Sequence, residues 1–303
     1  MSTPVLKRPL YRGRFAPSPS GPLHFGSLVA ALASYLDAKH NQGKWLVRIE
    51  DIDPPREQLG ADIGILNTLD AFGLHWDQTV LYQSQQNDYY QQILSELAQQ
   101  QLTYHCQCSR AQITALGGIY QGHCRTLQLS ANQGAIRLKN PSQFSHFNDL
   151  ILGEYSADQV LANEDFILKR KDGLFAYQLA VVLDDIAQQI THVIRGADLL
   201  EPTFRQLNLF NVLNNSAPAY GHVPLAITTQ GYKLSKQNKA PPLNNNYPQT
   251  ELLAALTFLG QRPVTELTEA SVEQIISWAI SHWNIVNVPK SNTQISMFAH
   301  QKQ

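Results

Sequence analysis

Three groups of residues in this chain have the types and spacing for chemistry. The first is Arg14-Phe15-Ala16-Pro17-Ser18-Pro19-Ser20-Gly21-Pro22-Leu23-His24-Phe25-Gly26-Ser27. Pro17, Pro19, Gly21 and Pro22 forbid regular helix or sheet and fix a loop. Apolar residues at Leu28, Leu32 and Tyr35 then follow one helix face. His24 and Gly26 therefore fall at a helix N-terminus, where free backbone N–H groups can hold a phosphate. The missing Cβ of Gly26 lets a flat ligand approach the backbone. The second group is the loop Gly231-Tyr232-Lys233-Leu234-Ser235-Lys236-Gln237. Its two ammonium groups, three residues apart, can neutralise phosphate charge as it builds in a transition state. The third is Cys106-Gln107-Cys108 with Cys124 downstream. An odd, clustered set of thiols is poor disulfide arithmetic and suits reduced thiols or a metal. Three thiolates need a fourth ligand, and His105, Tyr120 and His123 are the local candidates, with His the ordinary zinc donor. The plainer alternatives are a loop-to-helix junction, a solvated surface loop and three unligated thiols.

The elements that must position these groups follow from periodicity. A strand ending at Arg14–Ala16, a helix from about 27 to 39 and the β-branched run Trp45-Leu46-Val47-Arg48-Ile49 form a strand–helix–strand unit, which favours a parallel sheet with a right-handed crossover. Glu50-Asp51-Ile52-Asp53 follows the second strand, where α/β folds place their ligands. Helices are predicted near 59–69 and 84–100. Beyond Leu102 helical periodicity weakens, and short strands are predicted at 135–138 and 165–168, so 102–170 reads as an insertion. Apolar periodicity returns over 175–187, followed by a strand at 192–196, a helix with Pro202 at its first position, and a short apolar run at 223–227. Two further helices are expected near 250–259 and 272–283, the latter with Ser271 and Gln274 spaced as a capping box. The tail after Pro289 is polar and reads as disordered.

The predicted fold class is α/β: a Rossmann-type parallel-sheet nucleotide-binding domain with an inserted zinc-containing subdomain and a short helical C-terminal region. The expected divisions are 1–101 and 171–243 for the two halves of the catalytic domain, 102–170 for the insertion and 244–303 for the helical region and tail. The 303 residues suffice for a large core. A net charge of -1 excludes a bulk basic field, so nucleic-acid contact must use a local patch, with Lys7, Arg8, Arg110 and Arg125 as candidates. No signal-peptide run opens the chain and no stretch approaches 18 uninterrupted apolar residues, which points to the cytoplasm.

The first motif resembles the His-x-Gly-His signature of class I aminoacyl-tRNA synthetases, and the glutamyl branch in particular, with Ser27 in place of the last His. The second resembles Lys-Met-Ser-Lys-Ser of the same class, with Leu234 for Met and Gln237 for the final Ser. Two motifs in this order and separation are far more specific than either alone, and the resemblance covers roughly residues 12 to 260. It implies ATP as substrate, with Mg2+, and places His24, Gly26, Ser27, Lys233, Ser235 and Lys236 at ATP. His24, Lys233 and Lys236 would act in catalysis. It implies L-glutamate as the amino acid, held by Arg14, Ser18, Glu50, Tyr177 and Arg195. Bidentate arginine–carboxylate pairs and an acid for the ammonium suit that ligand. Val181 stands where glutamyl enzymes often carry Asn, removing a polar contact. Asp184 and Asp185 read as structural or ribose-side. The cysteine segment resembles the structural zinc site of short glutamyl-type synthetases, which implies Cys106, Cys108, Tyr120 and Cys124 as ligands, with His123 in reserve.

Only about 60 residues follow Asn244, too few for an anticodon-binding domain. The chain therefore resembles the truncated paralogues of glutamyl-tRNA synthetase. That implies transfer of glutamate to the queuosine base at the wobble position of tRNA(Asp), with no membrane and no protein partner required. A minimal glutamyl-tRNA synthetase, a glutamate ligase for another acceptor and a non-catalytic tRNA-binding module are the other readings.

Overall fold

The computed structural model describes residues 10–130, 134–141, 144–234 and 240–296. Parallel strands β1 (Arg12–Phe15) and β2 (Lys44–Ile49) flank helix α1 (Phe25–His40). Helix α2 (Ala61–Ala71) leads to the short β3 (Leu81–Tyr82), parallel to β2, and to α3 (Asn87–Gln99). The antiparallel part follows: β4 (Thr103–Cys106), α4 (Arg110–Ala115), β5 (Ala135–Leu138), the hairpin β6 (His146–Asp149) and β7 (Gly153–Ser156), α5 (Gln159–Ala162) and β8 (Ile167–Lys169). Helix α6 (Tyr177–Ala187), β9 (His192–Gly196), α7 (Leu200–Val212) and β10 (Ala219–Val223) return to parallel pairing. The Thr191 N–H donates to the Arg12 carbonyl at 2.9 Å and ties the start of β9 to β1. The result is an α/β fold of Rossmann type with a mixture of parallel and antiparallel sheets. The chain ends in β11 (Leu225–Ile227), α8 (Pro248–Phe258), α9 (Val272–His282) and β12 (Thr293–Ile295).

Helix α1 is the pivot. Leu28, Leu32 and Tyr35 are buried as the spacing predicts, but so are Val29, Ala31, Ala33, Leu36 and Ala38. A helix apolar on most of its circumference must be covered on both sides. The sheet covers one side, and α8 and α9 cover the other. Phe25 meets Phe258 edge-on at 5.7 Å between ring centroids. Trp283 Nε1 donates to Asp37 Oδ1 at 2.9 Å, and Tyr11 donates to the other oxygen of Asp37. The C-terminal helices thus clamp the helix whose N-terminus carries His24 and Gly26.

Most predicted elements form near their expected bounds, and Ser271 and Gln274 make the capping box. Two expectations are corrected. Helix α7 begins at Leu200, ahead of Pro202, which still lies in the first turn where its missing N–H costs nothing. Gly221 lies within β10, where its hydrogen atom leaves room for the side chains of Ile194 and Leu150. The tail is ordered through Ser296. Thr293–Ile295 pairs in parallel with Leu225–Ile227, and the Leu225 and Ser296 N–H groups donate to Asn292 and Ile227 carbonyls at 2.9 and 3.0 Å. A polar strand can do this because edge pairing satisfies the backbone without a hydrophobic face.

Candidate functional site

Arg14, Ser18, Glu50, Tyr177 and Arg195 line one cavity of about 560 Å³, together with Ala16, Ala30, Arg56, Gly196 and Asp198. The elements explain the convergence. Arg14 is on β1, Glu50 directly follows β2, and Arg195 is on β9, so the C-terminal ends of parallel strands deliver all three. Tyr177 opens α6.

Below this cavity lies a buried charge cluster. Asp185 accepts from Arg14 Nε at 3.2 Å and Nη2 at 3.1 Å, and from Arg48 Nη2 at 2.7 Å. Arg48 is fully buried and also donates from Nη1 to Gln188 at 2.7 Å. Burial alone would raise the Asp185 carboxyl, but Arg14 and Arg48 outweigh it and hold it below the usual carboxylate range. Asp184 accepts from Gln83 Nε2 at 2.7 Å and from Tyr90 Oη at 2.8 Å, and burial raises it. The acidic pair is thus structural in its contacts. The Nη1 group of Arg14 makes no hydrogen bond among the described residues, which leaves that edge of the guanidinium for a ligand.

Glu50 is different. Its Oε1 is buried with no hydrogen-bond partner among the described residues, and Arg48 Nε is 3.7 Å away, beyond hydrogen-bond reach. Burial pushes its carboxyl up to about 7, against the pull of Arg48 and Arg14 and with help from Asp185 and Asp184. An incoming ammonium would supply the missing donor.

Arg195 is the counterpart cation. It is 4% exposed, yet no carboxylate among the described residues lies within ion-pair distance of it. It donates to His222 Nε2 at 3.0 Å, Gln206 Oε1 at 2.9 Å, Thr203 Oγ1 at 2.7 Å and the Leu199 carbonyl at 3.2 Å. All four acceptors are uncharged, so the guanidinium is fixed in place without being neutralised.

The residues expected on the phosphate side gather at the N-terminus of α1. His24 caps the helix, with Nδ1 accepting from the Ser27 N–H at 3.3 Å. A Cβ on Gly26 would stand 3.2 Å from the Leu234 carbonyl, so glycine permits the lysine loop to pass close. Lys233 lies beside the cavity, donating to Asp198 at 2.6 Å. Ser235 and Lys236 lie outside the described residues, as do Lys7 and Arg8. Val181 packs in an apolar cluster with Leu179, Val182 and Phe175. Arg125 is paired with Asp165, its Nε 2.9 Å from Oδ2.

The three thiols of Cys106, Cys108 and Cys124 have their sulfurs within 4.8 Å of one another, with Cys108 and Cys124 at 3.6 Å. Two tetrahedral zinc–sulfur bonds of about 2.3 Å would put their sulfurs just under 4 Å apart, so the donor set fits such an ion. Tyr120 is buried in the same cluster, its oxygen accepting from the Cys124 N–H at 2.8 Å. The Arg137 guanidinium lies 3.7 Å from the Tyr120 ring centroid.

Sequence reasoning missed Arg48, His222 and Asp149. An arginine inside the apolar strand Trp45–Ile49 was the available signal for Arg48, since a buried charge must be paired. Nothing local marked His222 or Asp149, which meet only through tertiary pairing. Among the described residues, no helix is long and apolar enough to cross a membrane.

Residues 11–294 match the family model of tRNA synthetases class I (E and Q), catalytic domain. The chain is 64% identical to the Glutamyl-Q tRNA(Asp) synthetase of Colwellia psychrerythraea, over 94% of this chain and 96% of that protein. It is 54% identical to the Glutamyl-Q tRNA(Asp) synthetase of Salmonella typhi, over 93% and 94%. Among solved structures, it superposes on the glutamate-tRNA synthetase of Elizabethkingia anophelis with a TM-score of 0.79 and 26% identity, covering 95% of this chain and 68% of that one.

Proposed function

The chain belongs to the class I glutamyl- and glutaminyl-tRNA synthetase catalytic-domain family, and from that premise we propose that it activates L-glutamate with ATP and transfers the glutamyl group to queuosine at the wobble position of tRNA(Asp). The observation that carries this reading is the near full-length match, in both directions, to relatives bearing that activity in their names. The cavity supports the amino-acid half of it: among the described residues, Arg195 has no carboxylate within ion-pair distance, Arg14 Nη1 makes no hydrogen bond and Glu50 Oε1 accepts none, which together suit two carboxylates and an ammonium.

In the first step a glutamate carboxylate oxygen attacks the α-phosphorus of ATP. The bond to the bridging oxygen of pyrophosphate breaks, and glutamyl-adenylate forms. Arg14, Ser18, Tyr177 and Arg195 hold the glutamate and Glu50 accepts from its ammonium. The N-terminus of α1, with His24, Gly26 and Ser27, cradles the phosphates, and Lys233, Ser235 and Lys236 stabilise the leaving pyrophosphate, with Mg2+ accompanying ATP. These groups act by positioning and charge. Lys233 must leave Asp198 to do so. In the second step a hydroxyl of the queuosine cyclopentenediol attacks the adenylate carbonyl, releasing AMP. A structural zinc on Cys106, Cys108, Tyr120 and Cys124 would hold β4 to the loop after α4, within a 102–170 insertion set between the 1–101 and 171–243 halves of the catalytic domain.

The test is incubation with ATP, labelled glutamate and tRNA(Asp) with or without queuosine. Label on the queuosine form alone, surviving removal of the 3′-terminal adenosine, is expected. Equal labelling of both forms, lost with that adenosine, would replace this reading with a minimal glutamyl-tRNA synthetase.

A further inference from the structure

The cation that meets the substrate is itself held by a buried relay. Asp149 ends β6 and receives the Ile151, Leu152 and His222 N–H groups on Oδ1, at 3.0, 2.9 and 3.2 Å. Its Oδ2 is 2.6 Å from His222 Nδ1. On the other side of the same ring, Nε2 is 3.0 Å from Arg195 Nε. His222 and Asp149 are both essentially inaccessible to solvent.

Donor and acceptor counting fixes the protons. Arg195 can only donate, so Nε2 must accept, and Nδ1 must then carry the ring proton toward Asp149. The ring is also packed against Phe147 and Tyr220. Thr203 Oγ1 lies 3.4 Å from Nε2, already donating to Leu199 and accepting from Arg195. Asp149, Arg195 and, more distantly, Asp198 are the charged groups acting on the ring.

We infer that Asp149 and His222 are positioning residues for glutamate, holding Arg195 in its binding orientation through a single neutral tautomer of His222. The inference rests on the glutamate reading above. An uncharged acceptor suits this position. A carboxylate would fix Arg195 equally well but would neutralise the charge the substrate carboxylate needs, and imidazole fixes it while leaving that charge intact. The hairpin β6–β7 thereby acts on a pocket it does not line.

The experiment is glutamate-dependent ATP–pyrophosphate exchange, with selective 15N-histidine NMR to read which ring nitrogen is protonated. The wild type should show the proton on Nδ1. His222→Leu removes a hydrogen bond to a charged group, and should raise KM for glutamate about tenfold to a hundredfold with KM for ATP unchanged. His222→Gln, which restores an acceptor near Nε2, should recover most of that loss. Asp149→Asn can donate to Nδ1, so it should shift the ring proton to Nε2 and also raise KM for glutamate alone. A purely structural role would instead lower the active fraction, hence the apparent kcat, without separating the two KM values. A proton on Nε2 in the wild type, or an unchanged glutamate KM in folded His222→Leu, would overturn the inference alone. Absence of glutamate-dependent exchange in the wild type would overturn the glutamate reading and the inference with it.

Discussion

Glu50 makes the pH dependence of glutamate binding predictable in sign and size. Its carboxyl is pushed up to about 7 by burial, and Oε1 has no donor among the described residues. If Glu50 accepts from the substrate ammonium, only its ionised form binds well. A raised carboxyl pKa means that this form is present above pH 7 and is lost as pH falls through 7. With one titrating group, KM scales as one plus the ratio of protonated to ionised carboxyl. That factor is about 1.1 at pH 8 and about 11 at pH 6, so KM for glutamate should rise about tenfold between them. The ammonium of glutamate stays charged across this window. His222 is held below its ordinary value by burial, against its bond to Asp149. The assay is pyrophosphate exchange at saturating ATP from pH 6 to 8. Calorimetry in buffers of different ionisation enthalpy gives a second check, since binding near pH 7 should release a proton from Glu50. Glu50→Gln should raise KM and remove its pH dependence. A glutamate KM that is flat from pH 6 to 8 in the wild type would refute the assignment.

Two further outcomes follow from the buried cluster and the thiols. Asp185→Ala leaves Arg14 and Arg48 buried without their shared carboxylate, and should cost about 3–5 kcal/mol of stability in urea denaturation; a loss under about 1 kcal/mol would mean that water or Asp184 takes over the pairing. Protein purified without chelator should carry about one zinc per chain and lose thermal stability on chelation, and Cys108→Ser should abolish both effects; less than about half a zinc per chain in the wild type would refute the site.

What the sequence made legible divides along a physical line. The loop from Arg14 to Ser27 was readable because its prolines restrict the backbone locally and because α1 announces itself by spacing. Its consequence, His24 as helix cap, needs only neighbours three residues apart. The capping box at Ser271 was readable for the same reason. Arg195 was reachable through resemblance, but the four neutral acceptors around it come from β10, α7 and the turn before it, and no local pattern brings those together. The tail was misjudged because composition reports the absence of an apolar face, whereas β12 is recruited by the open backbone edge of β11.

The charges of the cavity carry a selectivity argument that neither motif contains. Arg14 and Arg48 share Asp185, so their charges are largely met within the protein. Among the described residues, Glu50 Oε1 has no hydrogen-bond donor and Arg195 has no carboxylate within ion-pair distance. A ligand with an ammonium alone would satisfy Glu50 and leave Arg195 buried against a neutral group. One with a single carboxylate and no ammonium would do the reverse. Glutamine brings both charges of the backbone end, but its side-chain amide oxygen is a weaker partner for a guanidinium than a carboxylate. Glutamate alone among these offers an ammonium for Glu50 and two carboxylates to divide between Arg195 and the open edge of Arg14. On the proposed reading the cavity favours glutamate through these charges, and Asp149 and His222 would leave the charge of Arg195 unpaired while holding it still.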